Sequence, residues 1–265
     1  MTPGALPQVF SSERTMANPV SAGVPPQETA AQSAALLVTP GRLAYELVWQ
    51  VQQAWVEHRL NDRHPDALLL LEHDPVFTMG RRTNPLHREQ AAPVIASHGV
   101  PLLEVDRGGS ITYHGPGQLV AYPIIRLAPP CHGPKAYVAR LETIVIRTLA
   151  EWGIESFLRP GLHGVWVDPP FPRKIASIGV RIIKGVTMHG LALNVSMDLA
   201  PFRWITPCGI EGCEVTSMED QLGRAVATND VLARLAHWFA VLFQWTWVEH
   251  SQTLNSPLER LCHAE

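Results

Sequence analysis

The sequence has few cysteines, few charged residues and no long apolar run. Only four of its 265 residues are cysteine, and their irregular spacing is not that of a disulfide framework, which suits a reducing compartment. No stretch reaches the roughly 18 consecutive apolar residues that a membrane span needs. Charged residues make up 17% of the chain and the net charge is -3, so the chain has no overall positive charge to attract nucleic acid. These absences predict a cytoplasmic protein that binds neither membrane nor nucleic acid.

Apolar periodicity is also missing from the first part of the chain. Residues 1–35 are rich in Pro, Ala, Ser, Gln and Thr, a composition that predicts a disordered N-terminal extension. A secretory signal is not expected there, because no basic start leads into an apolar core. The apolar residues are spread evenly over the rest of the chain, which predicts one folded domain over residues 36–248 and a short tail over 249–265.

Glycine is concentrated in one stretch, RGGSITYHGPGQLVAYPII, from Arg107 to Ile125. Four glycines around Pro116 exclude a helix, because each glycine costs about 1 kcal/mol against alanine there and proline breaks the helix. The stretch therefore predicts turn, strand, turn and strand, with backbone N–H groups able to approach a ligand. A phosphate loop is disfavoured, since no GK[ST] leads into a helix. A hairpin whose glycines serve geometry alone stays open as the alternative.

The remaining elements follow from periodicity and turn residues. Strands come in runs separated by a few helices, which predicts an α+β domain with a mixed or antiparallel central sheet flanked by helices. The predicted elements are a strand at 34–41, a helix at 45–60, two strands within 66–80, a strand at 100–109, a helix at 133–152, strands within 153–168, a hairpin at 175–199 that turns at Lys184–Gly185, and a last helix capped by Thr228 or Asn229.

Two residues have the chemistry of a nucleophile and its partner. Cys208 lies in TPCGI, where Pro207 and Gly209 predict a rigid turn whose neighbouring N–H groups are accessible to an oxyanion. Lys174 opens the apolar run KIASIGV, and burial of its amine would make it a usable base. The non-catalytic alternatives are that Cys208 is an inert turn cysteine and that Lys174 extends from a strand edge to solvent. The spacing CGIEGC, without a second ligand pair, is weak support for zinc.

Two histidines occur in HG pairs, His114 in YHGPG and His189 in MHGLA. Either both line one cavity or both are hydrogen-bonded structural residues. Residue types alone leave both interpretations open.

Five motifs in order resemble those of the octanoyltransferases, also called lipoate-protein ligase B. They are LLLLEHDPVFTMGR (68–81), RGGSITYHGPGQLVAYP (107–123), KIASIGVRI (174–182), TMHGLALNV (187–195) and PCGIEGCEVTSM (207–218). The resemblance implies that Cys208 carries the acyl group as a thioester and that Lys174 is its partner. It also implies substrate contacts from Arg107, Gly108, Gly109, Ser110, Ile111, Thr112, Tyr113, His114, Ser177, Ile178, Gly179, Gly190, Leu191 and Ala192.

The resemblance further implies a fold like that of biotin and lipoate protein ligases, with no cofactor and no metal. The implied reaction moves octanoyl from acyl carrier protein to a lysine of apo lipoyl domains, in 2-oxoacid dehydrogenase complexes and in the glycine cleavage H protein. Three alternatives are an ATP-dependent lipoate or biotin ligase, a cysteine-lysine hydrolase, and a non-catalytic protein that binds acyl groups or carriers. The first is disfavoured because no adenylate-binding motif is found.

Two surfaces are expected to serve this reaction. An apolar wall would hold the octanoyl tail, and its seven methylenes at about 0.8 kcal/mol each are enough for a preference for C8 over C16. A local basic surface would meet acidic carriers. The predicted wall comprises Ile175, Ile178, Val180, Leu191 and Leu193, and the predicted basic surface comprises Arg81, Arg82, Arg159, Arg173, Arg181 and Lys184.

Overall fold

The computed structural model describes residues 33–128 and 133–248. The predicted disordered extension lies outside this part of the chain except for its last three residues, and the predicted tail lies wholly outside it. Cys131 and Cys262 also lie outside the described residues. No helix in the two described ranges is long and apolar enough to cross a bilayer.

The described residues form twelve strands, numbered β1 to β12 in chain order, in two sheets. They are Ser33–Leu43, Asp66–His73, Val76–Met79, Leu102–Glu104, Ile111–His114, Gln118–Ile124, Phe157–Arg159, Leu162–Val167, Arg173–Ile183, Val186–Asn194, Glu214–Val215 and Trp245–Val248. The large sheet has the order β12-β1-β2-β6-β10-β9-β8-β7, with β11 beside β9, and the small sheet has the order β4-β3-β5. Strand β1 is parallel to β2 and β12, whereas the path from β2 to β7 is antiparallel. The predicted mixed sheet is confirmed.

In the same two ranges, five α-helices, α1 to α5, cover the sheets. They are Tyr45–Leu60, Pro85–Ser97, Pro134–Ala150, Met218–Leu222 and Thr228–Phe243. Alternate residues of a strand face opposite sides of a sheet. Accordingly, Leu68 and Leu70 of β2 pack into the core under α3 and α5, and Leu69 and Leu71 pack into the core under α1. The large sheet is thus covered on both faces.

The long helices and the hairpin agree with the predictions. Helix α1 has the predicted bounds, and α3 ends at Ala150 rather than at residue 152. The β9–β10 hairpin turns at Lys184 and Gly185, whose φ angles of 46° and 87° are those of a tight two-residue turn. This confirms that the hairpin lies inside the large sheet.

Other boundaries were wrong. The predicted strand at 100–109 is only Leu102–Glu104, and it pairs with β3 in the small sheet. The predicted cap of the last helix is also wrong, because Thr228 is already helical and the cap position is Ala227, which makes no side-chain hydrogen bond. Helix α2, which contains Pro93, was not predicted. Its signal was local, because Asn84 caps Leu86 N and Pro85 fills the first position.

Candidate active site

A cavity of about 370 Å³ runs between the small sheet and β9–β10 of the large sheet. Its mouth is lined by solvent-exposed residues, including Arg82, Asn84 and His163. Its inner end is lined by residues that are almost fully buried, including Tyr45 and Tyr122. The cavity therefore leads from solvent into the protein interior, as expected of a site that encloses most of its ligand.

Cys208 and Lys174 meet inside this cavity. Lys174 Nζ donates to Cys208 Sγ at 3.0 Å, and the hydroxyl of Ser177 lies 3.9 Å from the same sulfur. Lys174 is 3% exposed, whereas Cys208 is partly exposed toward the cavity. A thiol beside a buried amine is the arrangement that activates a cysteine nucleophile. The structure brings together the two residues whose chemistry the sequence singled out.

The turn that carries Cys208 is strained. Cys208 has a φ of 57°, in the left-handed region that residues other than glycine rarely adopt. The turn is closed by Gly209 N, which donates to Thr206 O at 3.0 Å, and by Ile210 N, which donates to Pro207 O at 3.1 Å. The predicted rigid turn is confirmed. The expectation that the N–H groups near Cys208 are accessible to an oxyanion is wrong for Gly209 and Ile210, because the turn itself uses both.

Lys174 is positioned by β8. Its Nζ lies 5.2 Å from the ring centroid of Trp166, within reach of a cation–π contact. A Cβ at Gly164 would lie 2.6 Å from Lys174 Cε and 2.4 Å from Ala176 O. Gly164 also has a φ of 111° and donates its N–H to Glu142 Oε1 on α3 at 3.1 Å. Glycine is therefore required here, and the sequence analysis missed this residue because its role depends on a neighbouring strand.

Cys213 follows Cys208 by five residues but differs from it in environment. Burial raises the pKa of the Cys213 thiol to about 11, so it is protonated at neutral pH. Within the part of the chain that the structure describes, no three His, Cys, Asp or Glu side chains converge as a metal site would require.

Arg107 is a buried cation at the cavity. It is 7% exposed, and its guanidinium donates to Thr78 Oγ1, to Thr78 O at 2.7 Å and to Gly108 O at 3.0 Å. No carboxylate among the described residues forms an ion pair with it. Burial lowers the pKa of Arg107. The cavity therefore contains an uncompensated positive charge, which favours anionic groups formed within it.

His114 is held by hydrogen bonds at both ring nitrogens. Its Nδ1 donates to Gln118 Oε1 at 2.7 Å, and Thr78 Oγ1 donates to its Nε2 at 3.4 Å. Gln118 in turn donates to Asn194 Oδ1 at 2.9 Å. Burial lowers the pKa of His114 to about 3, so the ring is neutral at physiological pH.

His189 and His73 complete the inner end. His189, at a φ of 59°, contacts Asp106 Oδ1 through Nε2 at 2.6 Å, and Arg181 neutralises the other oxygen of this carboxylate. Burial, Arg107 and Arg181 lower the pKa of His189 to about 3. Burial also lowers the pKa of His73 to about 4, and its ring lies between Leu43 O and the hydroxyl of Tyr122.

The two interpretations of His114 and His189 are both correct, since they line the cavity and are hydrogen-bonded.

Fourteen of the sixteen predicted site residues line the cavity. Gly108 does not, because its N–H donates to Val180 O at 2.9 Å in the wall behind Arg107. Tyr113 does not, because its ring packs on Phe77 and Phe202 in the core of the small sheet. The fourteen that do are Arg107, Gly109, Ser110, Ile111, Thr112, His114, Lys174, Ser177, Ile178, Gly179, Gly190, Leu191, Ala192 and Cys208.

The predicted apolar wall was correct in part. Ile178 and Leu191 line the cavity. Ile175 and Leu193 belong instead to the core under α3 and α5, and Val180 packs against that core. Alternation does not separate Ile178 from Val180 or Leu191 from Leu193, because residues two apart share a face; their position along the strand does. Lining residues that the sequence analysis missed are Tyr45, Asn84, His87, Val120, Tyr122, Gly161, Leu162, His163, Gly209 and Ile210.

The residues of the predicted basic surface make several different contacts. Arg82 lines the cavity mouth. Arg173 pairs with Asp168 at 2.6 Å, Arg181 pairs with Asp106, and Arg159 lies over the ring of Trp166. Only part of the predicted set is therefore free to contact a partner at the mouth.

Known proteins resemble this chain in sequence and in fold. Residues 44–240 match the lipoyl protein ligase A/B catalytic domain. The octanoyltransferase of Mycobacterium leprae (strain Br4923) is 48% identical over 229 residues, which cover 82% of this chain and 93% of the relative. The octanoyltransferase of Thermobifida fusca (strain YX) is 45% identical over 199 residues, which cover 73% and 82%.

Among solved structures, a bipartite lipoate protein ligase from Thermoplasma acidophilum aligns with a TM-score of 0.64 over 88% of this chain and 91% of its own. At 18% identity this likeness shows a shared fold. The sequence matches extend over most of both partners and include the residues that form the cavity. The chain therefore belongs to the lipoyl protein ligase A/B catalytic domain family and, within it, to the octanoyltransferases, which are acyltransferases.

Proposed function

We propose that the protein transfers an octanoyl group from octanoyl-acyl carrier protein to a lysine of apo lipoyl domains, through a thioester on Cys208. The observation that carries the proposal is the 3.0 Å contact between Lys174 Nζ and Cys208 Sγ inside a cavity that leads inward from solvent. Because the chain belongs to the octanoyltransferases, the proposed acyl group is octanoyl. The acceptors would be the lipoyl domains of 2-oxoacid dehydrogenase complexes and the glycine cleavage H protein, in the cytoplasm.

The first half-reaction loads the enzyme. The Cys208 thiolate attacks the thioester carbonyl, a bond forms between Sγ and the acyl carbon, and the bond from that carbon to the carrier sulfur breaks. The proton that Lys174 holds passes to the departing carrier thiolate. Thioester exchange is nearly even in free energy, so this step needs no nucleotide.

The second half-reaction releases the product. A lysine amine of the lipoyl domain attacks the acyl-enzyme, a C–N bond forms and the bond from Cys208 Sγ to the acyl carbon breaks. The proton lost by the amine returns to the Lys174 and Cys208 pair. The buried amine of Lys174 therefore works twice, as proton donor and then as proton acceptor.

The test is the intact mass of the protein after mixing with octanoyl-acyl carrier protein, without ATP and without an acceptor. We expect an octanoyl adduct on the wild type, none on Cys208→Ser and a much slower one on Lys174→Met. Cys213→Ser is the matched control and should keep the adduct, because the pKa of that thiol is raised to about 11. Octanoylation of an added lipoyl domain without any adduct would contradict the thioester route. Product that forms only with ATP would favour a ligase.

A further inference from the structure

The proposed transfer needs hydrogen-bond donors for the acyl oxygen. When Cys208 adds to the carbonyl, the C=O electron pair moves onto oxygen, and donors aimed at that oxygen lower the barrier. The backbone N–H groups of Gly209 and Ile210, which follow the nucleophile, both donate within their own turn. The site must therefore take at least some of its donors from elsewhere.

Two buried polar atoms beside this turn have no hydrogen-bond partner in the part of the chain that the structure describes. They are Ser110 Oγ and His87 Nδ1. Ser110 is only 5% exposed, and a buried polar group left unpaired costs about 1–3 kcal/mol. Both residues line the cavity. Two such costs at one place indicate groups that a ligand satisfies.

Their position relative to the nucleophile is defined by Gly209. A Cβ placed on Gly209 would lie 3.4 Å from Ser110 Oγ and 4.0 Å from His87 Nδ1. Lys174 and Ser177 contact the sulfur of the preceding residue, Cys208. The proton-carrying amine therefore contacts the nucleophile itself, while the unpaired donors flank the next residue of the same turn.

Both donors are carried by fixed backbone. Ser110 directly precedes β5, and its carbonyl accepts from Gly80 N at 3.3 Å, which ties it to the end of β3. His87 lies in the first turn of α2, which Asn84 and Pro85 define. Preorganised donors of this kind need little rearrangement when charge develops on the substrate.

We propose that the Ser110 hydroxyl and the His87 Nδ1–H group bind the acyl oxygen during transfer through Cys208. The Sγ–C bond forms while the oxygen gains negative charge, and both donors hold that charge. The oxygen returns its electron pair to carbon as the bond to the leaving sulfur or, in the second half-reaction, to Cys208 breaks. Each half-reaction forms its own tetrahedral intermediate, but both intermediates place negative charge on the same acyl oxygen, so both require these donors. This inference rests on the proposed acyl transfer.

The test compares Ser110→Ala, His87→Asn and His87→Gln in both half-reactions. Asparagine places an N–H group near the position of Nδ1, whereas glutamine extends beyond it. We expect kcat to fall about 10- to 1000-fold in Ser110→Ala and His87→Gln, with a smaller loss in His87→Asn and little change in KM. His237→Asn, an exposed histidine on α5, is the matched control.

A second readout separates this role from a structural one. Alkylation of Cys208 by iodoacetamide forms no oxyanion, so its rate should stay within about twofold of wild type in Ser110→Ala and His87→Gln. Equal losses of alkylation and transfer would overturn the proposal, because the nucleophile itself would be disturbed. A loss confined to one half-reaction would also overturn it. So would a loss seen only with acyl substrates that carry an amide near the thioester. If Ser110→Ala and His87→Gln both load Cys208 with octanoyl at the wild-type rate, the inference is wrong and the proposed function still stands.

Discussion

The two ends of the cavity satisfy their polar groups in opposite ways. At the inner end, His114, His189 and their neighbours form hydrogen bonds with one another although no ligand is needed to complete them. Beside the Cys208 turn, Ser110 Oγ and His87 Nδ1 are buried without a protein partner among the described residues. A complete network fixes a shape, whereas an incomplete one marks where a ligand supplies the missing group. The inner end therefore has a shape fixed by the protein, and the polar atoms beside the Cys208 turn are the ones that a ligand would pair.

Lowering the pH should destabilise the inner end of the cavity first. The pKa values of His73 and His114 are lowered to about 4 and about 3, against about 6.5 in the unfolded chain. Between these values the unfolded state binds more protons, so stability is complete above about pH 6.5 and is lost as the pH falls toward 4. Each such histidine contributes up to about 1.4 kcal/mol per pH unit. We expect a loss of several kcal/mol between pH 7 and pH 4, measured by urea unfolding.

The same measurement on His114→Gln tests the assignment. Its slope of unfolding free energy against pH should be lower by about 1 kcal/mol per unit over this range. His163→Gln, at an exposed histidine of the mouth, serves as the control. A wild-type slope in His114→Gln would show that His114 is not the source of the acid sensitivity.

Removal of one histidine from each end should give unequal effects on stability. His114→Ala leaves Gln118 Oε1 without its donor and opens a buried space, so we expect a loss of about 2–4 kcal/mol. His87→Ala removes a nitrogen that has no described partner, and we expect a loss below about 1 kcal/mol. Urea unfolding at pH 7 measures both. Similar losses would contradict the contrast between the two ends.

Filling the cavity between the two ends should shorten the preferred acyl chain. Ala192→Leu adds three carbons to a buried position of the lining. We expect about a tenfold lower kcat/KM for an octanoyl thioester and little change for a butyryl thioester, because each displaced methylene is worth about 0.8 kcal/mol. Ala233→Leu, on the exposed side of α5, is the control. Equal losses for both chain lengths would place the acyl tail elsewhere.

The mouth should respond to charge, and this is the smallest expected effect. Arg82 is exposed and lines the mouth, so Arg82→Gln should lower kcat/KM for octanoyl-acyl carrier protein about two- to fivefold at low salt. The difference should shrink near 0.5 M salt, roughly where the screening length falls to a few ångströms. A small octanoyl thioester should show no such effect. Arg224→Gln, at another exposed arginine, is the control, and an equal loss there would argue against a local basic surface.

The sequence by itself determined the helices and the hairpin of this fold, because apolar periodicity and turn residues are local properties. It also identified Cys208, Lys174 and the glycine-rich stretch, because unusual residue types in PCG, KIASIG and RGGSITYHGPG are visible without coordinates. Helix α2 was missed although its capping signal, Asn84 followed by Pro85, is also local.

Only the tertiary structure decided which of these residues meet. Lys174 and Cys208 are 34 positions apart, and their contact depends on β8, where Gly164 leaves the space that the lysine fills. The tertiary structure also placed Ile175 and Leu193 in the core under α3 and α5 rather than at the cavity. The turn uses the N–H groups of Gly209 and Ile210, which were expected to be accessible to an oxyanion. Ser110 Oγ and His87 Nδ1 have no partner among the described residues. Hydrogen-bond satisfaction depends on every neighbour in space, and the order of residues along a chain does not specify those neighbours.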